Sequence, residues 1–487
     1  MPQRTTLVAI ILSALVGFAG PSAHATDHKE GKSEKKETIT EELLRTLHEE
    51  GQLSDEAYQK LEKRHRKERK RKGDRSSAGG PKDWEFRWDN GLRFSRNDGR
   101  HKFKIATQFQ NDWALIDPDG EEGDSNSNGL ESGTEFRRAR VALSGKLYDR
   151  FGFNVKVDFS DGKAEFKGVW VSVEDLGPLG TLTIGQFKEP FSLEFQTSSK
   201  YITFMERGLP IALSPRRGTG FQFSNAPLDK RMTWTVAAVR QTDDDGSGFS
   251  GDDSYDVGAR VTGLPFYNED GSHYVHVGVS YVHQFRAGNE TFRYRARPES
   301  HLADRLLDTY NNPNFVRRED ESKDEFKKRV ADDRKLQVQS RGQDLFGLEL
   351  AYVAGPVSFQ GEFTGSKLNE DREEGGAFLW GAYGMATVSL TGEHRVYKKK
   401  TGSFGRMEPR HNFNPQKGHW GAWEMAFRAS YLDLDDNNVE GGVLRDITVG
   451  VNWYLNPNFR WMVNYVQSDL KGAGDTHIGQ MRFQVDF

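Results

Sequence analysis

From about residue 84 to residue 487, apolar side chains recur at every second position of the chain. In the run 275–281, for example, Val or Tyr occupies each odd position and His, Gly or Ser each even one. Successive side chains of a β-strand point to opposite faces, so a period of two predicts strands with one apolar and one polar face. The pattern therefore predicts an all-β fold for this part of the chain.

The connections between these predicted strands are of two kinds. Tight turns occur at residues 148–151, 176–178 and 455–457. Long polar segments occupy residues 117–133, 190–216, 243–253, 298–340, 397–419 and 434–442. Short turns at one end and long loops at the other are typical of a transmembrane, up-and-down antiparallel β-barrel. With 101–116 as the first wall strand and 272–297 as one excursion, the count is about 16 strands, within the range of bacterial barrels.

The N-terminus has the features of a secretory signal peptide spanning residues 1–25. Arg4 precedes an apolar run at 7–18, and Ala23-His24-Ala25 offers a small-x-small cleavage site, which predicts a mature chain beginning near Thr26. The run is short for the alternative, an uncleaved membrane anchor. No later stretch is apolar enough to predict a transmembrane helix, and the mean hydropathy is −0.76.

An exported chain with this pattern is either a large soluble secreted β-protein or an outer-membrane barrel. A barrel hides its membrane signal because only alternate residues face lipid. The chain has no cysteine, which excludes disulfides, thiolate metal sites and cysteine nucleophiles. The net charge of −4 is too balanced to identify a partner. We expect no cofactor, no metal site and, because the chain is exported, no nucleic-acid partner.

Residues 26–80 differ in composition from the rest. Thr38 and Glu41 fit a capping box, and Ser54 can cap a second helix. We therefore predict a short periplasmic helical segment with a basic run at 60–72 and a flexible linker. The basic run is either a solvated helix extension or a site for anionic polymers or lipid phosphates. Residues 81–100 are predicted to form a hairpin or lead-in, with a plug as an alternative for 84–95, and residues 101–487 the barrel.

An arginine-rich stretch, Phe-Arg-Tyr-Arg-Ala-Arg, occupies residues 292–297. In a strand, Arg293, Arg295 and Arg297 line one face, and aromatic or apolar side chains line the other. Three guanidinium groups on one face repel each other unless water or anions lie between them, while the apolar face requires protein core or lipid. The stretch therefore predicts a strand in the wall of an anion-conducting pore.

Several longer motifs resemble those of the phosphate-selective porin O/P family, over roughly residues 84–487. They follow one another in the family's order, which makes the resemblance specific to the family. The motifs are FRRARV at 136–141, GQFKEPFSLE at 185–194, SSKYITFMER at 198–207, WGAWE at 420–424 and GVNWYLNP at 450–457. The last residues, MRFQVDF at 481–487, also resemble the outer-membrane assembly signal of bacterial porins.

The resemblance implies a homotrimer of barrels, each of about 16 strands, in the outer membrane of a Gram-negative bacterium. It also implies a third loop that folds inward and an arginine ladder that leads anions to a constriction. By this resemblance, the ladder residues are Arg293, Arg295 and Arg297. The constriction residues are Arg137, Arg138 and Arg207. Lys188 fits the basic periplasmic side.

Other charged residues are assigned to the pore by alternation. The run 153–159 places Lys156 and Asp158 on the pore face, and Lys146 is likewise predicted to point inward. Asp158 is expected to moderate the basic charge and hasten anion release. Arg140 adds a positive charge where the pore is narrow. Guanidinium groups match phosphate oxygens bidentately, so phosphate, pyrophosphate or similar inorganic anions are the expected partners.

These features favour a passive anion channel, and not an enzyme, embedded in outer-membrane lipid and lipopolysaccharide. Predicted outer loops such as 121–124 and 433–436 are acidic, either as solvated surfaces or as cation bridges to lipopolysaccharide. The alternatives are a structural or scaffold barrel, a general porin without phosphate preference, and an outer-membrane hydrolase. No Gly-x-Ser-x-Gly motif supports the hydrolase.

Overall fold

The chain divides into two compact units, Met1–Gly80 and Pro81–Phe487. The computed structural model describes residues 83–118, 131–160, 162–243, 246, 254–309, 325, 339–370, 376–437 and 439–487, and residues 54, 58 and 59 of the first unit. Within the first unit, Tyr58 and Gln59 are helical, and the Tyr58 N–H donates to the Ser54 carbonyl at 2.9 Å. The predicted signal peptide, the remainder of both predicted helices and the basic run lie outside the described residues.

The second unit begins with a hairpin that joins the first strand of a large sheet. The hairpin consists of β1 (Trp84–Trp88) and β2 (Leu92–Arg96), and β2 pairs with the start of β3. The next strands are β3 (Lys102–Pro118), β4 (Gly133–Leu147), β5 (Phe151–Asp158), β6 (Glu165–Val173), β7 (Thr181–Lys188), β8 (Arg217–Asn225), β9 (Met232–Gln241), β10 (Tyr255–Tyr267) and β11 (His273–Thr291).

The remaining strands include two short inner pairs. These are β12 (Arg295–Ala296) with β13 (Leu307–Asp308), and β17 (Tyr397–Lys398) with β18 (Ser403–Phe404). The other strands are β14 (Gln339–Ala354), β15 (Val357–Glu370), β16 (Phe378–Ser389), β19 (Ala422–Asp436), β20 (Val439–Asn456), β21 (Phe459–Leu470) and β22 (Gly474–Asp486).

Sixteen antiparallel strands, β3–β11, β14–β16 and β19–β22, close into a barrel. The closure is the pairing of β22 with β3, in which Phe483 lies opposite Asn111. The N–H of Phe487 also donates to the carbonyl of Thr107, and the N–H of Thr107 to that of Phe487. A closed barrel satisfies its backbone hydrogen bonds without a free edge, as a membrane requires. The predicted barrel is confirmed.

The two faces of the wall follow the predicted alternation. On β11, Val277 and Val279 are 41% and 52% exposed on the outside, whereas His276 and Ser280 are buried on the inside. Apolar side chains therefore face outward and polar side chains face the lumen, as in a transmembrane barrel. Among the residues that the structure describes, no helix has both the length and the apolar character needed to cross a membrane.

The connections depart from the prediction in two places. The connection predicted as a long loop at 434–442 is short, because β19 and β20 extend until residues 437–438 alone join them. The segment between β16 and β19, residues 390–421, lies at the same end as the tight turns, not with the other long loops. Each strand reverses direction, so the end at which a connection lies depends on the number of strands before it, which alternation leaves uncertain. We call residues 390–421 the turn-end segment.

The arginine-rich stretch 292–297 does not form a wall strand, and that prediction is wrong. The wall strand β11 ends at Thr291, and β12 pairs with β13 away from the main sheet. Tyr294 and Ala296 are buried and belong to an apolar cluster with Leu307 and leucines of the inner wall. The predicted alternation of arginine and apolar side chains holds. Its apolar face contacts protein instead of lipid, a difference that the two-residue period cannot reveal.

Candidate functional site

The connection between β7 and β8, residues 189–216, folds into the barrel lumen and is the third connection at its end of the barrel. This third loop contains a short helix, α1 (Leu193–Gln196), and a 3-10 helix, Leu209–Leu213. Its buried apolar side chains are Phe191, Leu193, Ile202, Phe204, Met205, Leu209 and Leu213. These side chains lose water by packing against the wall, and the hydrophobic effect therefore keeps the loop inside.

Wall side chains satisfy the backbone of the third loop. Glu362 of β15 accepts hydrogen bonds from the N–H groups of Leu193 and Glu194, at 2.9 and 2.8 Å. Arg460 of β21 donates two hydrogen bonds of 2.8 Å to the carbonyls of residues 202–203. A buried loop without regular pairing needs such partners, because unpaired buried backbone groups are costly. The loop is therefore fastened to two separate parts of the wall.

Arg428 of β19 contacts both the third loop and the connection after β11, which we call the fifth loop (residues 292–338, of which 292–309 and 325 are described). Its Nε donates to Glu299 of the fifth loop at 2.9 Å. Its Nη1 lies 3.3 Å from the carboxylate of Glu194, and its Nη2 donates to the carbonyl of Glu206 at 3.0 Å. Arg428 is fully buried and therefore links the two inward-folded loops.

Arg137 and Arg138 both reach the lumen although they are consecutive. The pairing of β3 with β4 shifts register between Gln110 and Asn111, a bulge that lets two neighbouring side chains lie on one side. Arg137 makes a bidentate contact with Glu206, at 2.9 and 3.0 Å. Arg138 donates to Gln110 at 2.6 Å. The bulge thus brings both predicted constriction arginines to the third loop.

Arg140 and Asp158 are partners. The Nε of Arg140 donates to the Asp158 carboxylate at 2.6 Å, and its Nη1 donates to the Ser199 hydroxyl at 3.2 Å. Asp158 is buried and also accepts from the backbone N–H of Ala139 at 3.0 Å. Asp158, the carboxylate predicted to moderate the basic charge, is therefore paired with Arg140, one of the predicted pore arginines.

Lys188 and Arg207 contact the same turn of the third loop. The Nζ of Lys188 donates to the carbonyls of Phe195 and Thr197. The guanidinium of Arg207 donates to the carbonyls of Glu194 and Thr197, at 3.0 Å each. The hydrogen-bond partners of both cations are therefore backbone oxygens of the loop, not carboxylates, and these contacts do not neutralise their charges.

Lys156 lies in a group of cations. The largest charge effects on it come from Arg217, Arg140, Lys200 and Lys398, all positive. Among the described residues, none forms an ion pair or a hydrogen bond with its ammonium group. Such a site is unfavourable for a cation unless anions or water occupy the space between the positive groups.

Lys146, predicted to line the pore, lies apart from this group. It is part of β4 near the tight turn 148–150 and pairs with Glu174 at 2.5 Å. Its side chain is 34% exposed. The structure therefore does not bring Lys146 together with Lys156, although alternation placed both on the inner face.

The arginine trio of the fifth loop lies among further charged groups. The Nε of Arg293 donates to Asp308 at 2.8 Å, and Arg297 donates to the carbonyl of His301. Burial and the charges of Arg305 and Arg293 lower the pKa of Arg295 from its ordinary value. The trio therefore forms part of a larger basic cluster on the inward-folded loop.

The turn-end segment brings basic groups to the other side of the third loop. Lys398 lies 4.4 Å from the ring centre of Tyr201, and Arg406 pairs with Asp486. Burial and the charges of neighbouring Arg and Lys side chains lower the pKa of Lys398 to about 8. Burial also lowers the pKa of Lys200 to about 8, against the opposing effect of Asp486. These two ammonium groups therefore titrate near neutral pH.

Several of these residues were not recognised from the sequence. The basic clusters also include Arg216, Arg217 and Arg305. In the sequence, the consecutive pair Arg216-Arg217 at the start of β8, and the position of Arg305 shortly after the trio, are the features that could have identified them. Alternation shows that inward positions of their strands are occupied by Arg428, Arg460 and Arg482. It does not show their hydrogen-bond partners, which include groups of distant loops. Within the described ranges, no group of three His, Asp or Glu side chains could hold a metal ion.

A family model described as phosphate-selective porin O and P matches residues 103–487. Porin O of Pseudomonas aeruginosa is 26% identical over 406 residues, which cover 78% of this chain and 85% of that protein. An uncharacterised protein of Caulobacter vibrioides is 25% identical, covering 82% of this chain and 75% of that one. An anion-selective porin structure from Comamonas acidovorans has a TM-score of 0.48 at 12% identity, covering 80% of this chain and 100% of that chain.

Proposed function

We propose that this chain, which belongs to the phosphate-selective porin O and P family, forms an anion-selective diffusion channel through the outer membrane. The observation that carries the proposal is the position of Lys156 inside the barrel. It lies among four other cations, and no carboxylate of the described residues pairs with it. A mobile anion from solution can stabilise such a group, and several similar sites in series allow the anion to move on.

The path of the anion would begin at the fifth loop and end beyond the third. Arg293, Arg295 and Arg297 would attract anions at the wide entrance, where planar guanidinium groups can replace water around a phosphate oxygen. The anion would then pass the third loop, where Lys156 and Arg207 border the lumen. Beyond it, Lys200, Lys398 and the other basic groups near the turn-end segment would receive the anion. We propose phosphate-like inorganic anions as the transported solutes, in agreement with the name of the family.

A second candidate is a general anion porin without phosphate preference. Several of the predicted arginines are paired with carboxylates: Arg137 with Glu206, Arg140 with Asp158 and Arg293 with Asp308. Each pair reduces the positive field that a multivalent anion feels in the pore. A weaker field favours passage of chloride and other monovalent anions over tight binding of phosphate.

The assay that tests the proposal compares two lysines of the lumen wall in planar bilayers. Lys156→Gln removes a cation that has no acidic partner among the described residues, and the matched control Lys146→Gln removes a lysine paired with Glu174 at 2.5 Å. We expect Lys156→Gln to weaken block of the chloride current by phosphate about three- to tenfold, the Coulomb effect of one charge about 6 Å from the anion. The control should leave block unchanged. Equal effects of the two variants, or no effect of either, would contradict the proposed path.

Three further features of the assembled protein belong to this proposal. We propose that the barrels associate as a homotrimer, as the family resemblance implies, that residues 26–80 lie in the periplasm, and that the outer rim contacts lipopolysaccharide. Asp433 and Asp435 lie near that rim, and Asp433 already accepts hydrogen bonds from Tyr431 and from the Asp435 N–H, at 2.9 and 3.0 Å. These contacts support the interpretation of the acidic run as a solvated surface.

A further inference from the structure

Glu206 of the third loop lies between three arginines. It accepts two hydrogen bonds from Arg137, at 2.9 and 3.0 Å, and one from Arg482 at 2.7 Å. Its carboxylate also lies 3.9 Å from Arg138. On the far side, Asp112 binds Arg482 through two hydrogen bonds of 2.6 Å. One carboxylate of the loop therefore compensates cations from two neighbouring parts of the wall.

The charges of this cluster leave a small positive excess. Arg137, Arg138 and Arg482 carry three positive charges, because arginine stays protonated in proteins, and Glu206 and Asp112 carry two negative ones. Burial acts to raise the pKa of Glu206, but the three arginines outweigh it and bring that pKa well below its ordinary range. The carboxylate therefore stays ionised at neutral pH, and these five side chains together carry a net charge of about +1.

We infer that Glu206 determines how strongly the constriction holds multivalent anions, by cancelling one of the positive charges of the predicted constriction arginines. This inference rests on the proposed function and names the residue that sets the preference of the same site. Without Glu206, Arg137 and Arg138 would face the lumen with two uncompensated charges. With Glu206 present, the pore binds anions weakly enough to release them.

The physical reason is that the Coulomb energy grows with the charge of the anion. One elementary charge about 6 Å from a dianion, screened as in water, changes its affinity about tenfold, and that of a monoanion about threefold. Conduction requires binding weak enough for release. A channel with two uncompensated arginines beside the anion path would therefore hold dianions for longer and pass them more slowly. Glu206 prevents this.

The test is Glu206→Gln, a substitution of nearly equal shape that removes the charge. Sulfate, a dianion at neutral pH, and nitrate, a monoanion, serve as probes that block the chloride current in planar bilayers. We expect sulfate block to become about tenfold tighter and nitrate block about threefold tighter. Equal strengthening for both probes, or no change for sulfate, would overturn the inference.

A double variant separates charge from a displaced loop. Glu206→Gln with Arg137→Gln removes one charge of each sign, so the net charge of the cluster returns to that of the native protein. If charge is the cause, sulfate block returns to the native value. If the third loop has moved, the double variant stays as perturbed as the single one, which would contradict the inference.

The experiments distinguish a failure of the proposed channel function from a failure of the role inferred for Glu206. If the unmodified protein shows no anion preference in a salt gradient, the proposed channel function is wrong. If the unmodified protein prefers anions but Glu206→Gln leaves the ratio of sulfate to nitrate block unchanged, then the proposed function stands and the role of Glu206 is wrong.

Discussion

Replacing Arg428 with methionine should release the third and fifth loops from the wall together. Arg428 donates to Glu299 at 2.9 Å and to the carbonyl of Glu206 at 3.0 Å, and it pairs with Glu194 at 3.3 Å. Its side chain is 0% exposed. Removing one partner of a buried ion pair costs about 3–5 kcal/mol, because the remaining charges are left uncompensated.

This loss of free energy should destabilise the docked conformation of the two loops and not the strands of the wall. The sixteen strands are held by their own backbone ladder, closed between β22 and β3. A cost of about 4 kcal/mol shifts the ratio of docked to released loops by about a thousandfold. We therefore expect Arg428→Met to fold as a barrel but to show a larger, noisier single-channel conductance and a lower anion selectivity.

Single-channel recording, with circular dichroism as the check of folding, measures this outcome. Adding Glu299→Gln to Arg428→Met removes one of the uncompensated carboxylates, so the double variant should recover part of the native conductance. A folded Arg428→Met protein with native conductance, noise and selectivity would refute the claim that this arginine holds both loops.

Two further predictions concern the basic groups on either side of the third loop. Because the pKa values of Lys200 and Lys398 are lowered to about 8, both lose their charge as the pH rises. The anion-to-cation permeability ratio should therefore fall between pH 7 and pH 9, and a flat profile over this about two-unit range would contradict the position of these lysines on the anion path. On the entrance side, the trio of the fifth loop should contribute to anion capture. A triple substitution should lower anion conductance and weaken phosphate block, and unchanged values for both would exclude the ladder role; the substitutions are Arg293→Ala, Arg295→Ala and Arg297→Ala.

The wall was largely predictable from the sequence because alternation is strict there. The run 275–281 lies in β11, and the alternating residues 481–486 lie in β22, as the two-residue period of both runs indicated. In both strands the buried and exposed positions follow from which side faces lipid. The direction of each connection did not follow, since it needs the complete strand count. For that reason the turn-end segment was assigned to the wrong end.

The site was predictable only in part, because its partners come from distant parts of the chain. Arg137 and Arg138 are assigned to the constriction by family resemblance, and the structure shows them beside the third loop. Their neutralising partner, Glu206, lies 69 positions from Arg137 in sequence, and no local pattern pairs the two. The bulge that turns Arg137 inward is likewise a property of two paired strands. Local periodicity therefore gives the face of a residue but not its electrostatic partner.

The fifth loop also shows that local periodicity does not determine what surrounds a residue. Its alternating arginines and apolar residues were read as a wall strand, because an apolar face fits lipid and protein equally well. Tyr294 instead joins its apolar neighbours inside the barrel and donates a hydrogen bond to Gln343 of β14. The apolar side of this stretch is therefore supported by protein inside the barrel.

The reversal potential of the purified protein in a planar bilayer tests the central claim most directly. With a tenfold gradient of potassium chloride at neutral pH, an anion-selective channel gives a reversal potential close to the chloride equilibrium potential, about 59 mV in magnitude for one charge. The basic clusters of the third and fifth loops predict a reversal potential displaced toward the chloride equilibrium potential. A reversal potential near zero, or one displaced toward the potassium equilibrium potential, would contradict the account.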